Sequence, residues 1–150
     1  MLKTLYEAVK SGNKILIAGN GGLAAESEHF AAELVGQYAF PVYIPCIALT
    51  ANSSLLTALA NDIGYENVFS HQVKVLGNKG DIFIGMTTTH SQNIINAGIM
   101  ALSMNCKVIL LDGDKLKGKG VARKQEYAIK LLHKLAYDLK EKLSADSKPV

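Results

Sequence analysis

Four short runs of the chain are almost continuously apolar: Lys14–Ala18, Tyr43–Leu49, Asp81–Met86 and Lys107–Leu111. They are rich in Ile, Leu and Val and lack the polar alternation of a half-exposed strand, so they predict strands covered on both faces. Between them the apolar positions fall into helical spacing, over Leu2–Lys10, Ala24–Val35, Leu55–Ala60, Asn67–Leu76 and Gln92–Met104. A last amphipathic segment, Ala122–Leu143, places Ile129, Leu132, Leu135, Ala136, Leu139 and Leu143 on one face. Strands alternating with helices predict βαβ units and a parallel sheet. Right-handed crossovers then put helices on both faces, giving a three-layer, doubly wound α/β fold with a parallel sheet. We find no internal repeat and no interdomain linker, so residues 1–150 read as a single domain with a frayed tail over residues 143–150.

In open α/β sheets, ligands bind beyond the carboxyl ends of the strands. The residues that follow the four strands here are "GNGG", "TANSS", "TTTHSQN" and "DGDKLKGKG". Hydroxyls, glycines and amides gather at one edge, and hydroxyls with free N–H groups at a helix start hold phosphate oxygens well.

Composition narrows this little. Apolar residues make up 49% and charged residues 19%, enough to fill a core. The net charge of +3 is concentrated between Lys107 and Lys148 and is not interleaved with aromatic residues, which argues against a nucleic-acid surface. No apolar run approaches the ~20 residues of a membrane span, and the N-terminus lacks a signal-peptide core. Cys46 and Cys106 lie in apolar runs and read as buried free thiols. A cytoplasmic protein is the expectation.

The glycine-rich turn has two readings from the residues alone. Gly19, Gly21 and Ala24 fit a dinucleotide fingerprint, but that site also wants an acid near the end of the second strand, and "IALTANSS" has none. A Walker A site fails because no Gly-Lys-Ser/Thr follows. The other reading is a metal or acid/base site. His29 and Glu33 are four apart and share a helix face. Gln125 and His133 are eight apart, a little over two turns, and project to similar sides. Imidazole and carboxylate suit zinc, while an amide oxygen is a rarer ligand. The spacing permits one four-residue site and equally permits a solvated His/Glu pair.

The blocks "ILIAGNGGLAAESEHFAAELVGQY", "IALTANSSLLTALANDIGYENVFSHQVKVLG" and "GDIFIGMTTTHSQN" resemble the sugar isomerase (SIS) domain, in particular its phosphoheptose isomerases. The resemblance runs from about Gly12 to Leu143, with Asn61, Asp62 and Gly64 and the Gln125…His133 pair as independent support. It implies an aldose–ketose isomerase that converts sedoheptulose 7-phosphate to D-glycero-D-manno-heptose 7-phosphate, feeding heptose synthesis for lipopolysaccharide. It implies Zn2+ held by His29, Glu33, Gln125 and His133. Glu33 and His133 would shuttle protons through an enediol. Asn20, Asp62 and Gln125 would contact the sugar, Gly21 and Gly22 would admit it to the backbone, and Thr87, Thr88, Thr89 and Ser91 would hold the phosphate. Family members are homotetramers with shared active sites.

Three features depart from the family. The turn usually reads Gly-Asn-Gly-Gly-Ser, and here the fifth residue is Leu23. The hydroxyl loop usually reads Ser-Thr-Ser-Gly-Asn-Ser; "TTTHSQN" is one residue shorter, with His90 and no glycine. The stretch before Gln125 is too short for the family's additional strand, so four strands are expected, and the N-terminal helix is short. These changes strike the phosphate cradle and spare the His/Glu/Gln/His quartet. They leave open a non-catalytic SIS protein that binds a sugar phosphate or a partner protein, or a relative that has lost most of its activity. His71 reads as a partly exposed helix residue, Tyr127 and Tyr137 as packing residues, and "KLKGKG" as a solvated linker or a cationic loop near phosphate.

Overall fold

A computed structural model describes residues 1–146. The order is α1 (Leu2–Lys10), β1 (Ile15–Ala18), α2 (Gly22–Val35), β2 (Cys46–Ala48), α3 (Ser53–Ile63), a 3₁₀ turn (Tyr65–Asn67), α4 (Val68–Leu76), β3 (Ile82–Met86), α5 (Gln92–Ser103), β4 (Lys107–Leu111) and α6 (Gly120–Asp146). The four strands form one sheet in the order β2-β1-β3-β4. Every pairing is parallel, with Ile17 opposite Ala48 and Ile84, and Ile84 opposite Ile109.

Continuous apolar strands are what such a sheet needs, because both faces are covered. Ile15, Ile17, Ile82, Ile84 and Met86 point into one core with residues of α1, α2 and α6. Leu16, Ala18 and Phe83 point into the other, toward α3, α4 and α5. Three layers result, as the alternation predicts.

The bounds shift where local chemistry intervenes. The second strand, expected over Tyr43–Leu49, shrinks to Cys46–Ala48. Pro45 has no N–H to give to a ladder, and Ile44 N–H instead donates to Leu34 O at 3.0 Å. The third helix starts two residues earlier than expected because the Asn52 side chain accepts from Leu55 N–H at 3.0 Å and caps it. On α6 the buried stripe runs through Ala128 and Lys140 as well as the expected leucines, and Ile129 is only half-buried. The tail expected to fray from residue 143 stays helical to Asp146, whose carboxylate accepts from Tyr6 and pairs with Lys10 at 3.2 Å. Residues 147–150, the rest of that expectation, lie outside the described residues. Among the described residues β4 is an edge of the sheet, where Lys115 Nζ reaches back to donate to Leu110 O at 2.8 Å. Cys46 and Cys106 are buried and free. Burial pushes the Cys46 thiol up to about 12, which makes it inert.

Candidate active site

The strand order reverses between β1 and β3, and their C-terminal loops part there to leave a crevice. Asn20, after β1, and Asn93, on α5, close it with a reciprocal amide pair, two N–H···O bonds of 2.9 Å. Tyr65 O–H donates to the same Asn20 oxygen at 3.0 Å, which fixes the orientation of the amide. Each amide nitrogen keeps a second hydrogen for a ligand. A cavity of about 470 Å³ opens over this group, lined by Asn20, Tyr65, Glu66, Ser91, Gln92 and Asn93.

The hydroxyl loop folds beside it. Thr87 is buried, and its hydroxyl oxygen accepts from Ser91 N–H at 2.9 Å and Thr89 N–H at 3.3 Å. It therefore builds the loop rather than facing a ligand, whereas Ser91 and Thr88 are half-buried and Thr89 exposed. His90 is exposed and sits at φ +55°, a left-handed conformation in the loop where the family pattern carries glycine. Gly113, from the loop after β4, adjoins this segment. A Cβ there would lie 2.9 Å from Lys124 Nζ and 3.0 Å from Thr88 O, so an ammonium stands close to the hydroxyl loop.

The glycine turn launches α2. Gly21 takes φ +58° at the helix start. Gly22 has the Gln125 amide lying directly on it, where a Cβ would come within 2.7 Å. Leu23, the apolar substitute for the family's serine, is 3% exposed and belongs to the α1–α2–α6 core. One turn on, the Glu26 carboxyl is buried with no hydrogen-bond partner for Oε2, and burial pushes it up to about 7.

Farther along α2, three side chains converge. Glu33 Oε1 lies 3.2 Å from His29 Nε2 and 3.1 Å from His133 Nε2 of α6, and the two Nε2 atoms are 2.8 Å apart. The Glu33 side chain is 7% exposed, while those of His29 and His133 are 50% and 43% exposed, so the cluster is anchored inside and open on its imidazole side. Three lone-pair atoms this close need a shared proton or a cation between them. Two imidazoles and a carboxylate oxygen are a zinc-type donor set. Ligands at about 2.0–2.1 Å in a tetrahedron stand roughly 3.3 Å apart, close to the observed spacings. Glu33 Oε2 carries no hydrogen-bond partner. The residues fit a divalent metal of this class, leaving a fourth position for a ligand.

Of the quartet expected from sequence, His29, Glu33 and His133 form a close trio, and the Gln125 amide rests on Gly22. Asp62 is exposed near the end of α3 and accepts from Asn61 at 2.9 Å. His71 is exposed on α4, beside a shallow apolar groove. Tyr127 packs partly against the core with Lys117 over its ring, so the "KLKGKG" loop is pinned, with Leu116 buried as its anchor. Tyr137 stacks edge-on to Phe40. Sequence reasoning missed Asn93, Tyr65, Glu26 and Lys140. A charged residue in the leucine stripe of α6 was the available signal for Lys140, and an acid on the Glu33 stripe two turns earlier was the signal for Glu26.

Residues 2–113 match the SIS domain family. The phosphoheptose isomerase of Aliarcobacter butzleri is 50% identical over 113 residues, which cover 74% of this chain and 60% of that protein. That of Helicobacter hepaticus is 49% identical over 111 residues, covering 73% and 57%. The chain therefore spans less than two thirds of the length of these relatives. Among solved structures, phosphoheptose isomerase GmhA from Neisseria gonorrhoeae superposes with a TM-score of 0.85 at 34% identity, covering 93% of this chain and 83% of that one. A phosphoheptose isomerase from Francisella tularensis gives 0.88 at 27% identity, with the same coverages.

Proposed function

Because the chain belongs to the SIS domain family, we propose that it is an aldose–ketose isomerase acting on a sugar phosphate, with sedoheptulose 7-phosphate as substrate and D-glycero-D-manno-heptose 7-phosphate as product. The observation that carries this reading is the trio of His29, Glu33 and His133, whose ligand atoms lie within 4.8 Å of one another on two facing helices.

The residues suit the chemistry. Isomerisation removes a proton from the carbon next to a carbonyl and returns one to its neighbour, through an enediol. Glu33 has one oxygen against the imidazoles and one without a partner. It can hold a cation with the first and move the carbon-bound proton with the second. His133 moves the proton between the two substrate oxygens. Zinc, held by His29, Glu33 and His133 with Gln125 as a further candidate, would supply Lewis-acid polarisation of the carbonyl. At the other end the Asn20–Asn93 pair, Thr88, Thr89 and Ser91 offer donors to hydroxyls and phosphate, and Lys124 brings a positive charge to them. A homotetramer is the assembly this reading carries, to be checked by analytical ultracentrifugation.

A second reading, a non-catalytic SIS protein that binds a sugar phosphate, is favoured by Thr87, whose hydroxyl is spent inside its own loop. The test is turnover of sedoheptulose 7-phosphate by zinc-loaded protein, followed by NMR beside a chelated sample. Turnover that disappears with chelation and returns with zinc supports the isomerase. No turnover by folded, zinc-loaded protein moves the reading to the binding protein.

A further inference from the structure

Lys140 lies on α6 and is wholly buried, at 0% exposure. Lysine is almost never fully buried without a partner. Its Nζ donates to Gly36 O at 2.6 Å, and among the described residues no carboxylate oxygen lies within 4.0 Å of it. Its position is what matters. Lys140 is seven residues, about two turns, beyond His133 on α6, and Gly36 is three residues beyond Glu33, just past the end of α2. The Lys140–Gly36 bond is therefore the next fastening along the seam already closed by Glu33 and His133. Burial pushes the ammonium down, and the nearby Glu33 charge pulls it back up. Glu33 has the complementary problem. It is a buried acid with an unpartnered oxygen, and two exposed imidazoles give it no fixed positive charge.

We propose that Lys140 is a positioning residue for the His29–Glu33–His133 cluster: its ammonium is the fixed counter-charge of the buried Glu33 carboxylate and, through Gly36, clamps the Glu33 end of α2 onto α6. The proposal rests on the reading of that cluster as the reacting centre. It means that the three donor atoms are held in place before any metal arrives, which spares the ordering cost at binding. The plain alternative is that Lys140 only satisfies a carbonyl at the end of a helix, as cations there often do. The two differ in one respect. A helix cap does not depend on the charge of Glu33, and a counter-charge does.

Thermal unfolding of chelator-treated wild type, Lys140→Met, Glu33→Gln and the double variant separates them. Methionine keeps the apolar stem and removes the charge. Lys140→Met is expected to lower the melting temperature by several degrees, and this loss should fall by at least half in the Glu33→Gln background. Equal losses in both backgrounds would overturn the proposal. Should Lys140→Met fail to fold alone, recovery of folded protein in the double variant supports it, and an unfolded double variant overturns it. Turnover enters none of these measurements, so the isomerase reading can fail while the coupling holds, and the reverse.

Discussion

Glu26 makes the protein's stability depend on pH in a direction opposite to that of a salt-bridged acid. Burial raises its carboxyl from an ordinary 4.5 to about 7. Between those values the folded chain holds a proton that the unfolded chain has released, so stability falls as pH rises and levels off above pH 7. At 1.36 kcal/mol for each such pH unit, the folded state at pH 8 carries a penalty of about 3 kcal/mol. Glu26→Gln keeps the shape and cannot ionise. Its advantage over wild type should be near zero at pH 4 and grow to about 3 kcal/mol at pH 8, roughly 6–12 °C in melting temperature for a chain of this size. The assay is thermal unfolding of both proteins from pH 4 to 8, with chelator present so that metal binding does not add to the stability. A gap that stays constant from pH 5 to 8 would show that the Glu26 carboxyl finds water or a partner, and would refute the argument.

Three further outcomes are expected. Glu33→Gln should lower kcat by about 10²–10⁴-fold in a protein whose circular dichroism is unchanged, and a fall of less than tenfold would take Glu33 out of the proton transfer. His90→Gly should raise stability by about 0.5–1 kcal/mol in urea unfolding, because glycine takes φ +55° without the crowding that costs an L-residue; a lower midpoint would mean that the imidazole makes a contact worth more than its strain. Leu23→Ser, which restores the family's residue, should destabilise by about 3–5 kcal/mol, since it empties a filled core position and buries a hydroxyl there; a neutral midpoint would show that the site relaxes.

The layers of the fold were legible because a strand covered on both sides has to be apolar throughout, as Ile15–Ala18 and Ile82–Met86 are. The shortening of β2 followed from Pro45, visible in the sequence but outweighed there by its apolar neighbours. In the site, the four-residue spacing of His29 and Glu33 and the later His133 pointed to residues that do converge. Gln125 lies eight residues before His133, which gives a similar direction but also about 12 Å of rise; its amide rests on Gly22. The fate of Thr87 was not readable, because a loop hydroxyl can turn toward a ligand or toward its own backbone with no change in the sequence pattern. The Asn20–Asn93 pair joins residues 73 apart in sequence, and only the parallel register of β1 and β3 brings them together.

α2 starts at the Gly21 turn and carries Glu33 at its far end, eleven residues after Gly22. It behaves as a lever about 16 Å long. A tilt of only about 3–4° at its glycine fulcrum would sweep the carboxylate through about 1 Å, and a displacement of that size can cost a reaction about a hundredfold in rate. On the proposed isomerase reading, the turn placed to receive one end of the substrate would thus set the aim of the group at the other, and the burial of Leu23 just past the pivot holds that aim steady.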